Sequence, residues 1–365
     1  MIPQNKKIKV LEICGGLSTE GIGVFLLNTF ENIDKKKFDI HFALATKYKQ
    51  VFEDRIIANG GKIYRTHEIG EGIKGKLKHL INLYKIIKKD KYDVVHSHMD
   101  FFNGLNLFVA FLARAPLRIS HAHIANNSQL SLIQKIYYAL MKIFIRLFSN
   151  KGLGCSDEAN EFINGKGKVI YNGIKIDKFQ KKDYCFPKDI QFNKDYKNLI
   201  TVGRIDNQKN PLYIVEIIYF LSKIRKDFHF YWIGTGSLYN EVKKKINELK
   251  IDDKITLLGA RNDVEVFLSH MDVFILPSKY EGFGIVLAEA QVAGLRCFIS
   301  EKIPKNANLG LCEVIDLNKG ANAWAQKINS YFLDHDKAIL SIQELNKIDI
   351  RNTILSLQNE YLNLK

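Results

Sequence analysis

The sequence predicts an α/β protein with two doubly wound, parallel-sheet domains, and three observations lead there. Short apolar segments alternate with helical patterns along almost the whole chain, the rhythm of parallel strands joined by crossover helices. The alternation stops once, in a polar, strand-poor stretch from Tyr171-Asn172-Gly173 to about Asn198, and then restarts. The 365 residues also exceed what one domain of ~100–200 residues holds.

Taken in order, the first-half strands fall at Lys9–Cys14, Phe38–Leu44, Lys62–Arg65, Asp93–His96, Arg118–Ala122 and Gly152–Cys155. Helical patterns such as Lys76–Lys89 and Leu132–Phe148 lie between them. In the second half the strands are Leu199–Val202, Phe228–Ile233, Ile255–Leu257, Val273–Leu276 and Cys297–Ser300, with helices such as Pro211–Ile224 and Leu238–Leu249. The boundary is placed near residue 176. This gives two Rossmann-like domains, 1–175 and 176–349, and a tail helix at 350–365 that is expected to return to the first domain. Ligands of such sheets bind beyond the carboxyl ends of the strands, so the strand-to-helix loops are the places to search.

Hydrophobic residues make up 46% and charged residues 25%, which excludes a disordered chain, a collagen repeat and a small disulfide scaffold. Cys14, Cys155, Cys185, Cys297 and Cys312 are scattered and never form Cys-x-x-Cys. Reduced, mostly buried thiols are expected, with neither zinc site nor disulfide framework. Met1–Lys9 lacks the apolar core of a secretory leader, and no run reaches the ~18 apolar residues of a membrane span. A cytosolic protein is expected. The formal charge is +15, and only 10 of the 54 basic residues are Arg, a poor ratio for reading bases with Arg forks. Residues 1–180 carry 28 basic and 16 acidic side chains, and the rest 26 and 23, so the excess belongs to the first half.

Several loops carry candidate chemistry. Cys14-Gly15-Gly16-Leu17-Ser18-Thr19-Glu20-Gly21-Ile22-Gly23 joins a strand to a helix and lets backbone N–H groups approach a phosphate. It matches neither Gly-x-Gly-x-x-Gly nor a P-loop, and a plain tight turn fits it equally well. His96-Ser97-His98 and His121-Ala122-His123 follow neighbouring strands and point to one cleft lining, unless they are structural histidines. Metal binding is the rival use. Phe101–Ser156 holds no carboxylate, however, and no cysteine adjoins either histidine pair, so no metal is expected. In Gly203-Arg204-Ile205-Asp206-Asn207-Gln208-Lys209-Asn210, Arg204 and Lys209 stand where cations would clamp a diphosphate, unless the loop is merely a solvated one. Ile233-Gly234-Thr235-Gly236 is a further strand–glycine–helix turn.

The most informative stretch runs from Leu276 to Ala290. A strand enters the glycine loop Glu281-Gly282-Phe283-Gly284, and a helix starts near Phe283 with its N–H groups open to an anion. Glu289 then falls on an otherwise apolar helix face, where an unpaired carboxylate is costly. A partner is required: a ribose diol, or a backbone group or Lys.

Here the sequence resembles the retaining glycosyltransferases of family 4, which have the GT-B fold of two Rossmann-like domains facing a central cleft. Glu281 and Glu289 match the Glu-x7-Glu signature, within Pro277-Ser278-x-Tyr280-Glu281-Gly282-Phe283-Gly284. Further landmarks fall in order: Gly15-Gly16, Asn172-Gly173-Ile174 with Asp177 and Phe179, Gly203-Arg204 with Lys209-Asn210, Gly234-Thr235-Gly236, and Gly259 with Arg261 and Asp263. The two histidine pairs look most like the exopolysaccharide and capsule subgroup.

The resemblance implies a nucleotide-sugar donor, UDP-linked in many members, bound by the second domain, and an acceptor bound by the first. Arg204 and Lys209 would hold the diphosphate and stabilise the leaving nucleotide. Glu289 would hold the ribose, and the loop Gly259–Asp263 with Arg261 would border the base. Glu281 and the amides of Gly282, Phe283, Gly284 and Ile285 would contact sugar and phosphate, beside the Gly234 turn, and the Gly16 amide would close on the phosphates. His121 or His123 would bond the donor sugar at the reacting centre, with His123 preferred because it lies later, at the mouth of the cleft. Members need no metal or other cofactor, and retention is ascribed to same-face attack within an ion pair. The one Asp-x-Asp, Asp334-His335-Asp336, lies in a C-terminal helical pattern. Gly294-Leu295-Arg296 departs from the usual Gly-Leu-Pro.

Two basic, apolar-rich helices suggest how an acceptor is met. Lys135, Lys142 and Arg146 share one stripe of Leu132–Phe148, and Lys74–Lys91 carries seven lysines. These would rest on anionic lipid and present a polyprenyl-linked saccharide at the inner face of the cytoplasmic membrane, unless the first is a core helix with a solvated stripe. The expected activity is hexosyl transfer to a growing surface polysaccharide or lipid-linked glycan. The alternatives are a nucleotide-sugar epimerase on the same fold and a basic nucleic-acid-binding protein, the latter disfavoured by the lack of Arg clusters and stacking motifs.

Overall fold

The computed structural model describes residues 6–18, 21–125, 131–181, 183–333 and 339–363. The chain divides into two compact units: Met1–Gly173 with Ile348–Lys365, and Ile174–Lys347.

The first unit runs β1 (Ile8–Cys14), α1 (Gly21–Asn32), β2 (Phe38–Leu44), α2 (Glu53–Ala58), β3 (Lys62–Arg65), α3 (Gly72–Asp90) and β4 (Val94–Ser97). It continues with α4 (Asn103–Leu112), β5 (Leu117–Ala122), α5 (Leu132–Phe148), β6 (Lys151–Gly154), α6 (Asp157–Asn164) and β7 (Lys168–Val169). All strand pairs are parallel, in the order β3-β2-β1-β4-β5-β6-β7. Val10 to Cys14 of β1 are buried throughout, as a strand covered on both faces requires. The exception in chemistry is Glu12, a carboxylate in the middle of that run.

The second unit contains α7 (Ile176–Gln180), β8 (Lys197–Val202), α8 (Pro211–Ile224), β9 (Phe228–Ile233), α9 (Tyr239–Leu249), β10 (Ile255–Gly259) and α10 (Val264–Leu268). After these come β11 (Val273–Leu276), α11 (Ile285–Val292), β12 (Arg296–Ser300), β13 (Cys312–Ile315), α12 (Gly320–Leu333) and α13 (Ile342–Ile348). Its parallel sheet has the order β10-β9-β8-β11-β12-β13. The core packs α8, α9 and α12 on the strands, with Trp232 and Trp324 fully buried. α14 (Ile350–Leu362) then joins the first unit, where it packs on α1.

In each unit the strand order reverses beside the first strand, between β1 and β4 and between β8 and β11. Those switch points are where doubly wound sheets open a crevice at their carboxyl ends. Two strands are absent from the sequence reading: β7 has two residues, and β13 is an edge strand in which only Ile315 is buried. The helix expected near Phe283 starts at Ile285 instead. Gly284 has φ +79°, a left-handed conformation that no helical residue takes, so it caps the helix rather than joining it. Phe283 before it is a buried core residue.

Helix α5 departs from the alternative of a core helix with a solvated stripe. Ser131 and Gln134 close a capping box at its start, and only Met141 and Ile145 are buried along it. Leu132, Ile136, Leu140, Ile143 and Leu147 recur every three or four residues as an exposed apolar stripe. A core helix would hide that stripe.

Candidate active site

In the second unit the loops after β8, β9, β10 and β11 are tied to one another by backbone. Gly234 donates its N–H to the Gly259 carbonyl (2.8 Å), Gly203 to that of Ile233 (2.9 Å), and Lys279 to that of Gln208 (2.8 Å). Gly234 is required sterically: with φ +143°, a Cβ there would lie 2.0 Å from the Gly203 carbonyl oxygen.

This tying brings Arg204, Lys209, Gly234, Glu281 and the start of α11 to one end of the sheet. Lys209 Nζ donates to Glu281 Oε1 at 2.6 Å, both side chains being largely buried. Between them lies Gln208, which the sequence reading gave no role. Its Nε2 donates to the Tyr280 carbonyl (3.1 Å) and reaches Glu281 Oε2 (3.4 Å), and its Oε1 accepts from Arg204 Nη2 (3.3 Å). The half-exposed Arg204 also pairs with Asp206 (3.2 Å). The first bonds inside α11 run from Leu287 and Ala288 to the Gly284 carbonyl. The amides ahead of them are those a helix start leaves to an outside acceptor, at the positive end of its dipole. Two cations and a helix start thus converge, groups whose chemistry suits an anion such as a diphosphate.

Glu289 sits further along α11, beside Lys178 of α7 and Glu265 of α10, which form an ion pair at 3.0 Å. The expected protein partner is missing: its carboxyl makes no hydrogen bond among the described residues. Burial raises it to about 8, Lys178 opposing and Glu265 adding to the shift. The group is therefore neutral at pH 7, with both oxygens open to hydroxyls. Arg261, in the loop expected to border the base, is tied up within the protein. It is held bidentately by Asp263 (2.8 and 2.7 Å) and lies over the Phe267 ring.

In the first unit Gly16 lines a pocket of about 390 Å³ with Gly15, Ser18, Ile22, Gly23, Thr46, Gln50 and Glu68. The two histidine pairs do not line an open surface. They are buried together at the β1–β4–β5 strand ends, His121 at 0% exposure and His123 at 7%. Spacing of i, i+2 puts both members of each pair on one sheet face. Register then sets Glu12 of β1 opposite His96. His98 Nε2 is 2.8 Å from Glu12 Oε2, and His98 Nδ1 is 2.8 Å from His123 Nε2. His96 Nδ1 meets the Tyr361 hydroxyl (2.8 Å), which donates to Glu12 Oε1 (2.8 Å), and His96 Nε2 meets His121 Nδ1 (3.1 Å). Phe25 of α1 packs edge-on or tilted against His98, His121 and His123. Asp100 Oδ1 accepts the backbone N–H groups of His123 and Ile124.

Burial would raise the Glu12 carboxyl, but the neighbouring His96 and the bonds to His96 and His98 bring it well below the usual range. Burial lowers His98 to about 4 and holds His121 and His123 well below 6.5, so these three rings are neutral at pH 7. His96, His98 and His121 are the one grouping of possible metal-ligand atoms among the described residues, with nitrogens within 4.8 Å of one another. The absence of a carboxylate in Phe101–Ser156 was thus no argument against a cation, because Glu12 arrives from β1. Glu12, Asp100 and Tyr361 escaped the sequence reading. The one available signal was a lone carboxylate inside the apolar run Val10–Cys14. Asp334-His335-Asp336 and part of the first loop, Thr19-Glu20, lie outside the described residues.

The chain is similar in sequence and in fold to known proteins. A family model described as glycosyl transferases group 1 matches residues 186–338, and one described as glycosyl transferase 4-like matches residues 17–144. The chain is 26% identical to the capsular polysaccharide biosynthesis glycosyltransferase CapH of Staphylococcus aureus, over 97% of this chain and 99% of that one. It is 32% identical to the Escherichia coli UDP-Gal:alpha-D-GlcNAc-diphosphoundecaprenol alpha-1,3-galactosyltransferase over 61% of this chain and 62% of the other. In fold it is similar to Anabaena Alr3699/HepE, solved with UDP and glucose, with a TM-score of 0.79 at 16% identity over 98% of this chain and 100% of that chain. With a family model on each half and the two-sheet architecture of such enzymes, the chain belongs to the group 1 and 4-like glycosyltransferases of GT-B fold.

Proposed function

We propose that this glycosyltransferase moves a hexose or N-acetylhexosamine, with retention and without a metal, from a UDP-linked donor to a growing surface polysaccharide or lipid-linked glycan. The observation that carries the reading is the meeting of Arg204, Gln208, Lys209 and Glu281 ahead of the α11 start. Departure of the nucleotide builds charge on a diphosphate, and preorganised cations and amides lower that barrier most. Arg204 and Lys209 take the diphosphate with the Gly282–Ile285 amides, and Glu281 orients Lys209 and the sugar. The neutral Glu289 carboxyl takes the ribose hydroxyls. In the first unit His123 bonds the sugar. The names of the Escherichia coli and Staphylococcus aureus relatives, one a UDP-galactose enzyme with a diphosphoundecaprenol-linked acceptor, the other a capsule enzyme, support this class of substrates.

The α5 stripe supports a site of action on the inner face of the cytoplasmic membrane. Leu132 and Ile133 are 72% and 80% exposed. On α3, Ile73, Leu77 and Ile81 are exposed among lysines, and Lys76 of α3 lies over the Tyr137 ring of α5. No helix of the described residues is long and apolar enough to cross a membrane, so contact would be by apolar insertion beside cations.

The test is a thermal-shift screen of UDP, UDP-glucose, UDP-galactose and their N-acetylamino counterparts, with and without EDTA. Transfer to a polyprenyl-diphosphate saccharide follows, with the product anomer read by NMR. Glu289→Gln and Arg204→Ala should lose donor binding and keep the fold; unchanged kinetics would sink the assignment. A UDP-sugar converted with no acceptor present would point to an epimerase instead.

A further inference from the structure

The carboxylate of Glu12 sets more than a local charge. The ionised Glu12 carboxylate can only accept, so His98 donates its Nε2–H to Glu12 Oε2. A neutral imidazole has one N–H, so His98 Nδ1 is left with a lone pair. The atom 2.8 Å from that lone pair is His123 Nε2, which must donate to it. This uses the only proton of the neutral His123 ring. His123 Nδ1 therefore carries a bare lone pair, and it is a buried atom with no hydrogen-bond partner among the described residues.

Three features keep this arrangement from inverting. Glu12 Oε1 is already taken by the Tyr361 hydroxyl, and Oε2 also faces His96 Nδ1 at 3.2 Å, so the carboxylate has donors on both oxygens. The Phe25 ring, 5.3–5.9 Å from the His98, His121 and His123 rings, blocks their rotation. Asp100 pins the His123 backbone amide at 2.8 Å. We propose that Glu12 is a positioning residue for sugar transfer: acting through His98, it fixes the His123 tautomer so that His123 Nδ1 accepts a hydroxyl hydrogen of the bound sugar.

The inference rests on the reading that the chain transfers a sugar. It adds a direction: a site of this polarity takes a hydroxyl and rejects a phosphate or carbonyl oxygen, which only accept. A cation held by His96, His98 and His121 is the competing arrangement. It needs a lone pair on His98 that the relay has already spent.

The test reads the tautomer before any substrate is chosen. Protein labelled with 15N in histidine is compared by NMR with Glu12→Met, His98→Leu and His98→Gln, and His123→Gln assigns the signals. The wild type should show His123 with an unprotonated Nδ1 and a protonated Nε2. Glu12→Met and His98→Leu should give mixed His123 tautomers. In whichever UDP-sugar supports turnover, they should lose about 10–100-fold in kcat/KM. A glutamine amide donates at one end and accepts at the other, so His98→Gln should restore the tautomer and most of the rate. Should Glu12→Met not fold, the two His98 variants decide alone. A protonated His123 Nδ1 in the wild type, or His98→Leu with unchanged tautomer and rate, would overturn the proposal. So would a stoichiometric transition metal found by elemental analysis of the purified protein. Absence of sugar transfer with the tautomer confirmed would instead count against the enzymatic reading.

Discussion

Lys209 reaches across to Glu281 with Nζ and Oε1 2.6 Å apart, joining the β8 loop to the β11 loop in a contact that water barely touches. Removing one member leaves the other buried without its counter-charge, which costs roughly 3 kcal/mol. Lys209→Ala should therefore lower unfolding free energy by about that much and kcat/KM by about 10²–10³-fold, the loss typical of a group that stabilises developing charge. Lys209→Met combined with Glu281→Gln should regain most of the stability and none of the rate, as denaturant titration beside donor kinetics will show.

Glu289 gives stability a pH dependence of definite sign. Its carboxyl is raised to about 8 in the fold, against 4.5 when free. Between those values the unfolded chain binds fewer protons, so stability falls as pH rises from about 4.5 to 8 and then levels off. In Glu289→Gln that slope should be shallower. Tm measured at several pH values compares the two, and parallel curves would mean the carboxyl is not held neutral.

Two glycines should behave oppositely. An added Cβ at Gly234 would strike the Gly203 carbonyl at 2.0 Å, whereas at Gly15 it would meet nothing within 4 Å. Gly234→Ala should drop Tm by several degrees, a loss of about 2 kcal/mol or more, and abolish stabilisation by UDP. Gly15→Ala should leave Tm within about 1 °C.

Acid should loosen the first unit in a particular window. His98, His121 and His123 are neutral in the fold and would protonate on unfolding below 6.5, so their contribution is present above that pH and is lost as it falls toward 4. The lowered Glu12 carboxyl extends the loss below 4.5. Replacing His121 with Asn should flatten the Tm profile between pH 6.5 and 4.

On α5, Ile136→Ser with Leu140→Ser should abolish binding to anionic vesicles without lowering Tm, because both side chains are already exposed. Lys135→Glu should weaken binding about fivefold or more at low salt, each cation near such a surface contributing ~1 kcal/mol. Co-sedimentation that ignores lipid charge would contradict the docking face.

The strands legible in the sequence were those with apolar runs, such as Phe38–Leu44 and Phe228–Ile233, because burial on both faces leaves no other pattern. β13 was hidden since an edge strand needs no such run. In the second unit the site was largely readable: Arg204, Lys209 and Glu281 are neighbours of glycine turns, and local spacing suffices to place them. The histidine cluster was half readable. His96, His98, His121 and His123 announce themselves, but what governs them, Glu12 and Tyr361, is 349 residues apart in sequence and meets only through sheet register and a returning helix. The exposed stripe of α5 was ambiguous for a plain reason. Helical periodicity shows that one face is apolar but not which surface covers it.

The bond from Tyr361 to Glu12 also sets an order of events in synthesis. A growing chain has emitted every residue of the second unit before the phenol that completes the first unit's buried network leaves the ribosome. Glu12 must until then face its histidines with one oxygen unfilled. The earlier-made half thus cannot reach its final form before the whole of the second unit has been synthesised, a departure from the usual amino-to-carboxyl succession of domains.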